Sequence, residues 1–286
     1  SVNQSCSGWA ETEMRKMSTT DPLRTILGHY HTSADGAFTR FKGSAKPPYV
    51  QSWTSTTVLL SSSHTGTVTL SGSDTPAQTF SIEASDGIQA INLYAPTADI
   101  SLSTDITGLK VLGIWLEGDK GITLDDISMR GNSGISLRHL NDSTTAQMRH
   151  WVDYDIIVLE FGLNVASAKQ TDYTPYAHAM IESVNNLKRL YPNALILILG
   201  VGDRAMKQGT QYLSMPTLPA LIKAQREVAR VTGSLFYDTR TAMGGDGAAI
   251  DWHSRKLVNA DYVHLNHRGG KELADIFLKS LDITLQ

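Results

Sequence analysis

Two kinds of hydrophobic pattern divide the chain. Between about Gly36 and Gly121, short alternating runs recur: "TVTLSG", "TFSIEAS", "AINLYAP", "ADISLST" and "GIWLEGD". Apolar residues at every second position, interrupted by Gly, Asp and Pro, describe half-buried antiparallel strands, and several at close spacing predict a β-sandwich. "HYH" at His29 and His31 alternates in the same way and reads as structural. After Leu124 the pattern changes. "DYDIIVLEFGLN" and "NALILILGVGD" are continuous apolar runs, as expected of parallel strands buried on both faces, and "GSLFYDTR" is a weaker third. "LDDISM", ending at Met129, reads as a further strand. Between these runs the period becomes helical. Ala177, Met180, Ile181, Val184 and Leu187 share one face of a segment stopped by Pro192. A second helix has Pro219 in its first turn and stops at Gly233, and a third carries Leu273, Ile276, Phe277 and Leu281. Strand and helix in alternation predict a parallel α/β sheet.

Composition narrows the function classes. With 286 residues, 41% hydrophobic and 19% charged, the chain can bury a large core, and it is not of the disordered class. A formal net charge of -3 leaves no basic footprint for nucleic acid. No apolar run approaches the roughly 18 residues of a membrane span, and the start "SVNQSCSGW" reads as a processed end. One cysteine, Cys6, excludes an internal disulfide and a Cys-rich zinc site.

Ligands of open α/β sheets bind beyond the carboxyl ends of the strands. Those ends supply Gly131, in "RGNSG"; Asn164, in "GLN"; Asp203 and Arg204; and, before the last helix, Asp261 and His264 in "DYVHLNHRGG". Each has an ordinary explanation. A glycine turns the chain, an Asn closes an Asx-turn, Asp203 and Arg204 form a loop ion pair, and Asp261 caps a helix. Together they offer more. An imidazole oriented by a carboxylate, near a backbone N–H and an amide donor, is equipment for acyl transfer. A metal cluster of Asp261, His264 and His267 is set aside: no third histidine has supporting spacing and no HEXXH is present. Asp251 and His253 in "IDWHS" lie in a Gly-rich polar stretch that favours solvent or substrate contact.

Gly131 after a strand, "GLN" with Asn164, and the DxxH of Asp261 and His264 follow the order of blocks in the SGNH (GDSL-type) hydrolases. The chain resembles their polysaccharide and peptidoglycan O-acetylesterase branch over about residues 121–286, with a weaker echo in "SCSGW". The resemblance implies a flavodoxin-like parallel sheet flanked by helices, built from residues 1–35 and 121–286, with a β-sandwich of residues 36–120 inserted as scaffold or carbohydrate-binding module. It further implies that His264 is the general base, Asp261 its orienting carboxylate, and Gly131 N–H with the Asn164 amide the oxyanion donors. It implies no cofactor or metal, an acetylated polysaccharide or peptidoglycan as substrate, and a periplasmic or secreted protein. Two departures stand out. Val165 replaces the acid of the usual GxND block, and the GDS block that carries the nucleophile is absent. Ser133, beside the expected oxyanion glycine, and Ser5 and Ser7, which have no preceding strand, are poor substitutes. In that fold the missing strand is central, and each buried backbone group left unpaired costs ~1–3 kcal/mol. The expectation is therefore a serine on a strand outside residues 1–286, for instance on a retained N-terminal peptide. A non-catalytic carbohydrate-binding protein and an O-acetyltransferase remain as alternatives.

Overall fold

The computed structural model describes residues 2–44 and 51–281, which divide into two compact units. None of the helices described is long and apolar enough to cross a membrane.

The first unit holds residues 1–129 and 139–153. Its strands are β1 (Asn3–Glu13), β2 (His29–Lys42), β3 (Trp53–Ser62), β4 (Gly66–Ser71), β5 (Gln78–Ile82), β6 (Ser85–Thr97), β7 (Asp99–Thr104) and β8 (Lys110–Glu117), followed by helix α1 (Asp142–Arg149). The expected two-sheet sandwich is instead one eight-stranded antiparallel sheet in the order β5-β4-β7-β2-β8-β3-β6, with β1 on β2. The alternation sets its core: Val58 and Leu60, Val68 and Leu70, Ile91 and Leu93, Ile100 and Leu102 all point to the same buried cluster. Residues 1–35, assigned above to the α/β part, lie in this unit, because β1 pairs with β2 from Asn3↔Lys42 to Glu13↔His29. Asn141 caps α1 by accepting from Thr144 N–H at 3.0 Å, and Gln147 of α1 accepts from the Ile88 N–H of β6 at 2.8 Å.

One buried charge sits at the start of β7. Asp99 is 5% exposed and accepts from the Ser73 hydroxyl at 2.7 Å, from the Ser73 N–H at 2.6 Å, and from Arg40. The two Ser73 bonds, helped by Arg40 and opposed by burial, hold its carboxyl at a pKa of about 2. A depressed carboxylate contributes stability that is complete above the unfolded pKa and is lost as pH falls through the folded one. Asp99→Asn is therefore expected to cost about 2 kcal/mol at pH 7, and to flatten the loss of stability between about pH 4 and pH 2. Urea unfolding across that pH range checks both; a variant with the slope of the parent would remove Asp99 from the account.

The second unit holds residues 130–138 and 154–286. Its elements are β9 (Ile156–Glu160), α2 (Thr174–Leu190), β10 (Leu195–Leu199), β11 (Ala205–Gln208), β12 (Gln211–Ser214), α3 (Leu218–Thr232), β13 (Leu235–Tyr237), α4 (Thr239–Met243), α5 (Ala248–Ser254) and α6 (His267–Ser280). The parallel sheet has the order β13-β10-β9, with Val158 opposite Leu197. Pro in the first turn opens α2 and α3, and Gly233, in the left-handed region at φ 62°, ends α3. Two sequence expectations fail here. "LDDISM" is not a strand: residues 118–129 form none, and Ile122 is 98% exposed. Nor is the sheet buried on both faces. Ile157, Leu159, Ile196 and Ile198 are buried, Leu159 and Ile198 lining one small cavity with Tyr176 and Met180 of α2 and Val228 of α3. On the other face Ile156, Val158, Leu195 and Leu235 are between 47% and 56% exposed. β9 pairs only with β10 among the described residues, so its second edge carries no strand.

Candidate active site

Buried Gln225 of α3 ties the ends of β9 and β10 together. Its amide donates to Phe161 C=O at 2.8 Å, and its carbonyl accepts from Val201 N–H at 2.9 Å. The chain leaves β9 past this clasp through Gly162, at φ 129°, where a Cβ would meet the Gln225 amide at 2.9 Å. Val165 and Ala166 both donate back to Gly162 C=O at 2.9 Å, closing a tight turn that leaves Asn164 exposed.

Asn164 reaches the segment that carries Gly131. Its side-chain Nδ2 donates to Asn132 C=O at 3.0 Å. Asn132 is held in turn, its Oδ1 accepting from Gly134 N–H at 2.8 Å and its Nδ2 donating to Ser136 at 3.1 Å. Gly131 is exposed at φ 69°, and its N–H has no partner among the described residues. Gly131 and Asn164, 33 positions apart, are thus one hydrogen bond from neighbours.

Asp261 and His264 meet directly. Asp261 Oδ2 lies 2.7 Å from His264 Nδ1, while Oδ1 accepts from the N–H groups of Val263 at 2.9 Å and His264 at 3.0 Å. Burial works to raise the Asp261 pKa, but the bonds from His264 N–H, the His264 ring and Val263 N–H outweigh it and bring it to about 2. The carboxylate is thus ionised at any physiological pH and fixes the proton of the imidazole on Nδ1, leaving Nε2 as the acceptor. Asp261 is not the cap of the last helix. That position belongs to Asn266, whose Oδ1 accepts from Arg268 and Gly269 N–H at 3.0 and 3.1 Å.

The turn between them is strained and braced. Tyr262 stands at φ 59°, a left-handed conformation that costs a residue with a Cβ about 1–2 kcal/mol. Its ring is stacked on Tyr212 of β12 at 4.0 Å and packed on His253 of α5 at 4.1 Å, contacts worth about 0.5–1.5 kcal/mol each, enough to offset the strain. His253 therefore sits in a helix, not in the open stretch expected, and braces the turn; Asp251 pairs with Arg255 at 3.5 Å.

Arg204 connects the two halves of the site. Its Nη1 donates to Leu163 C=O, next to Asn164, at 3.1 Å, and the next residue, Ala205, donates its N–H to Tyr262 C=O at 3.0 Å. The expected Asp203–Arg204 pair does not form. Consecutive residues of an extended chain point to opposite sides. Asp203 instead takes Arg240 at 2.9 Å, Ser214 at 2.7 Å and Ala249 N–H at 3.0 Å. No group of three metal-ligating side chains occurs among the described residues, and His267 is exposed at the start of α6. Sequence reading missed the braces Tyr212 and Gln225; the positive-φ Gly209 between two short runs was the one available sign of the β11–β12 hairpin.

No protein-family model matches the chain, and no curated protein matches it. Among solved structures, a peptidoglycan O-acetylesterase superimposes with a TM-score of 0.78 at 20% identity, covering 98% of this chain and 77% of that one. A putative GDSL-like lipase from Parabacteroides merdae follows at a TM-score of 0.41 and 15% identity, over 54% of this chain and 70% of that one. The first likeness establishes the fold.

Proposed function

From an SGNH/GDSL hydrolase-like fold, we propose that this chain is the larger part of an esterase that removes acetyl groups from a polysaccharide or peptidoglycan outside the cytoplasm. One observation carries the reading: the Asp261–His264 couple, at 2.7 Å, shares one unit with the Gly131–Asn132–Asn164 turn and is joined to it through Arg204 and Ala205. In the proposed reaction His264 Nε2 takes the proton of a serine hydroxyl as its oxygen attacks the acetyl carbon. Charge developing on the carbonyl oxygen is met by Gly131 N–H and the Asn164 amide. The imidazolium, stabilised by Asp261, then protonates the leaving sugar oxygen. Water, deprotonated by the same His264, releases acetate and restores the serine.

The serine is proposed to stand on a strand added to β9 from outside residues 1–286. The second edge of β9 has no partner among the described residues, and the apolar face of Ile156, Val158, Leu195 and Leu235 is the surface such a strand and its crossover helix would cover. The solved esterase of like fold is also longer than this chain, which spans 77% of it.

A fluorophosphonate, which reacts with activated serines, tests the reading on the protein isolated from its source. Labelling is expected on one serine outside residues 1–286, and the polypeptide of residues 1–286 alone should show no His264-dependent turnover of an aryl acetate. Label on Ser133, Ser5 or Ser7, or turnover by residues 1–286 alone that His264→Ala abolishes, would place the nucleophile inside the chain and sink the added strand. No label and no turnover in the isolated protein would leave a carbohydrate-binding protein.

A further inference from the structure

We infer that Arg204 is a substrate-binding residue that recognises an anionic group, so that the ester acted on is carried by an acidic saccharide; this rests on the esterase reading above. The inference starts from an imbalance of charge. Arg204 is half-buried, and its hydrogen bond to Leu163 C=O is the only one its side chain makes among the described residues. Its Nε is buried and has no partner at all. A guanidinium carries five N–H donors, so four are unengaged, and no carboxylate pairs with it among the described residues.

Other arginines of the same unit show what the chain does when a guanidinium is structural. Arg240 is bound by both Asp203 and Asp246, and Arg255 by both Asp251 and Glu272. Removing a cation from water without an opposite charge is destabilising, and a Gln or Met at position 204 would avoid that cost. The acid next to it in sequence is fully committed elsewhere, with three hydrogen bonds from Arg240, Ser214 and Ala249. Arg204 is therefore kept unpaired at the one place where the Asn164 turn and the Asp261–His264 turn both touch the same strand end. A planar fork of donors in that position matches a carboxylate, which it can bind through two parallel hydrogen bonds.

Binding, not turnover, tests this, so its failure can be told from that of the esterase reading. Calorimetric titration of the full protein compares a trisaccharide of galacturonate with the neutral galactose trisaccharide. The expected preference for the acidic sugar is about tenfold or more, weakening as salt rises. In Arg204→Gln the ratio should fall to about one, and Arg204→Lys should keep part of it, with thermal unfolding confirming that both variants are folded. Equal affinities in the parent protein, no measurable binding of either sugar, or a preference that survives in Arg204→Gln would each overturn the inference. A folded Arg204→Gln that loses the preference while the protein shows no esterase turnover would keep this site and reject the esterase.

Discussion

Replacing His264 by alanine is expected to lower kcat for aryl acetate hydrolysis in the complete protein by about 10⁴–10⁶, leaving folding intact. The size follows from what the ring does. Asp261 occupies Nδ1 at 2.7 Å, so Nε2 is the one nitrogen able to accept a hydroxyl proton. Without it an uncharged serine must attack unaided. The side chain is 67% exposed, so its loss removes little packing. Asp261→Asn provides the matching test. Its amide oxygen can still accept from Val263 and His264 N–H, which keeps the turn, but an amide N–H then faces Nδ1 and forces the proton onto Nε2. A base presented in the wrong tautomer should cost about 10⁴ in kcat with little change in KM. Since Asp261 holds its charge down to a pKa of about 2, its contribution to the turn is complete above the unfolded carboxylate range and lost only as pH falls through about 2. Turnover of His264→Ala within tenfold of the parent would end the general-base assignment.

What could be read before the structure was largely local. Alternation in "TVTLSG" and "ADISLST" placed β4 and β7 because every second residue faces one core, and the DxxH block was visible because its members stand only three positions apart. Features that depend on a distant partner were not legible. β1 has three apolar residues in eleven and no alternation, and it exists because β2 offers it an edge. "LDDISM" has the composition of a strand, yet without a neighbour to bond it forms none. The same dependence misled the reading of Asp203 and Arg204. Adjacency made them a pair on paper, whereas Arg240, 37 residues further on, holds the acid. The stack that braces Tyr262 needs three rings from β12, α5 and the DxxH turn, and no spacing rule joins them.

Asn164→Ala is expected to lower kcat in the complete protein by about 10²–10³, the usual cost of one oxyanion donor. The backbone argues that little else changes. The turn is closed by Val165 and Ala166 N–H on Gly162 C=O and anchored by Arg204 on Leu163 C=O, none of which uses the Asn164 side chain. The amide gives one N–H to Asn132 C=O at 3.0 Å, which leaves its second N–H for a developing oxyanion and fixes the direction in which it points. Its loss should therefore appear in kcat and hardly in KM, because the ground-state carbonyl is a weak acceptor and the oxyanion a strong one. Asn164→Asp sharpens the test. The carboxylate has the same shape but donates nothing and places a negative charge where negative charge must develop, so it should be slower than alanine. An aspartate variant as fast as alanine would show that charge does not build up beside residue 164, and an alanine variant with parental kcat would remove Asn164 from the mechanism.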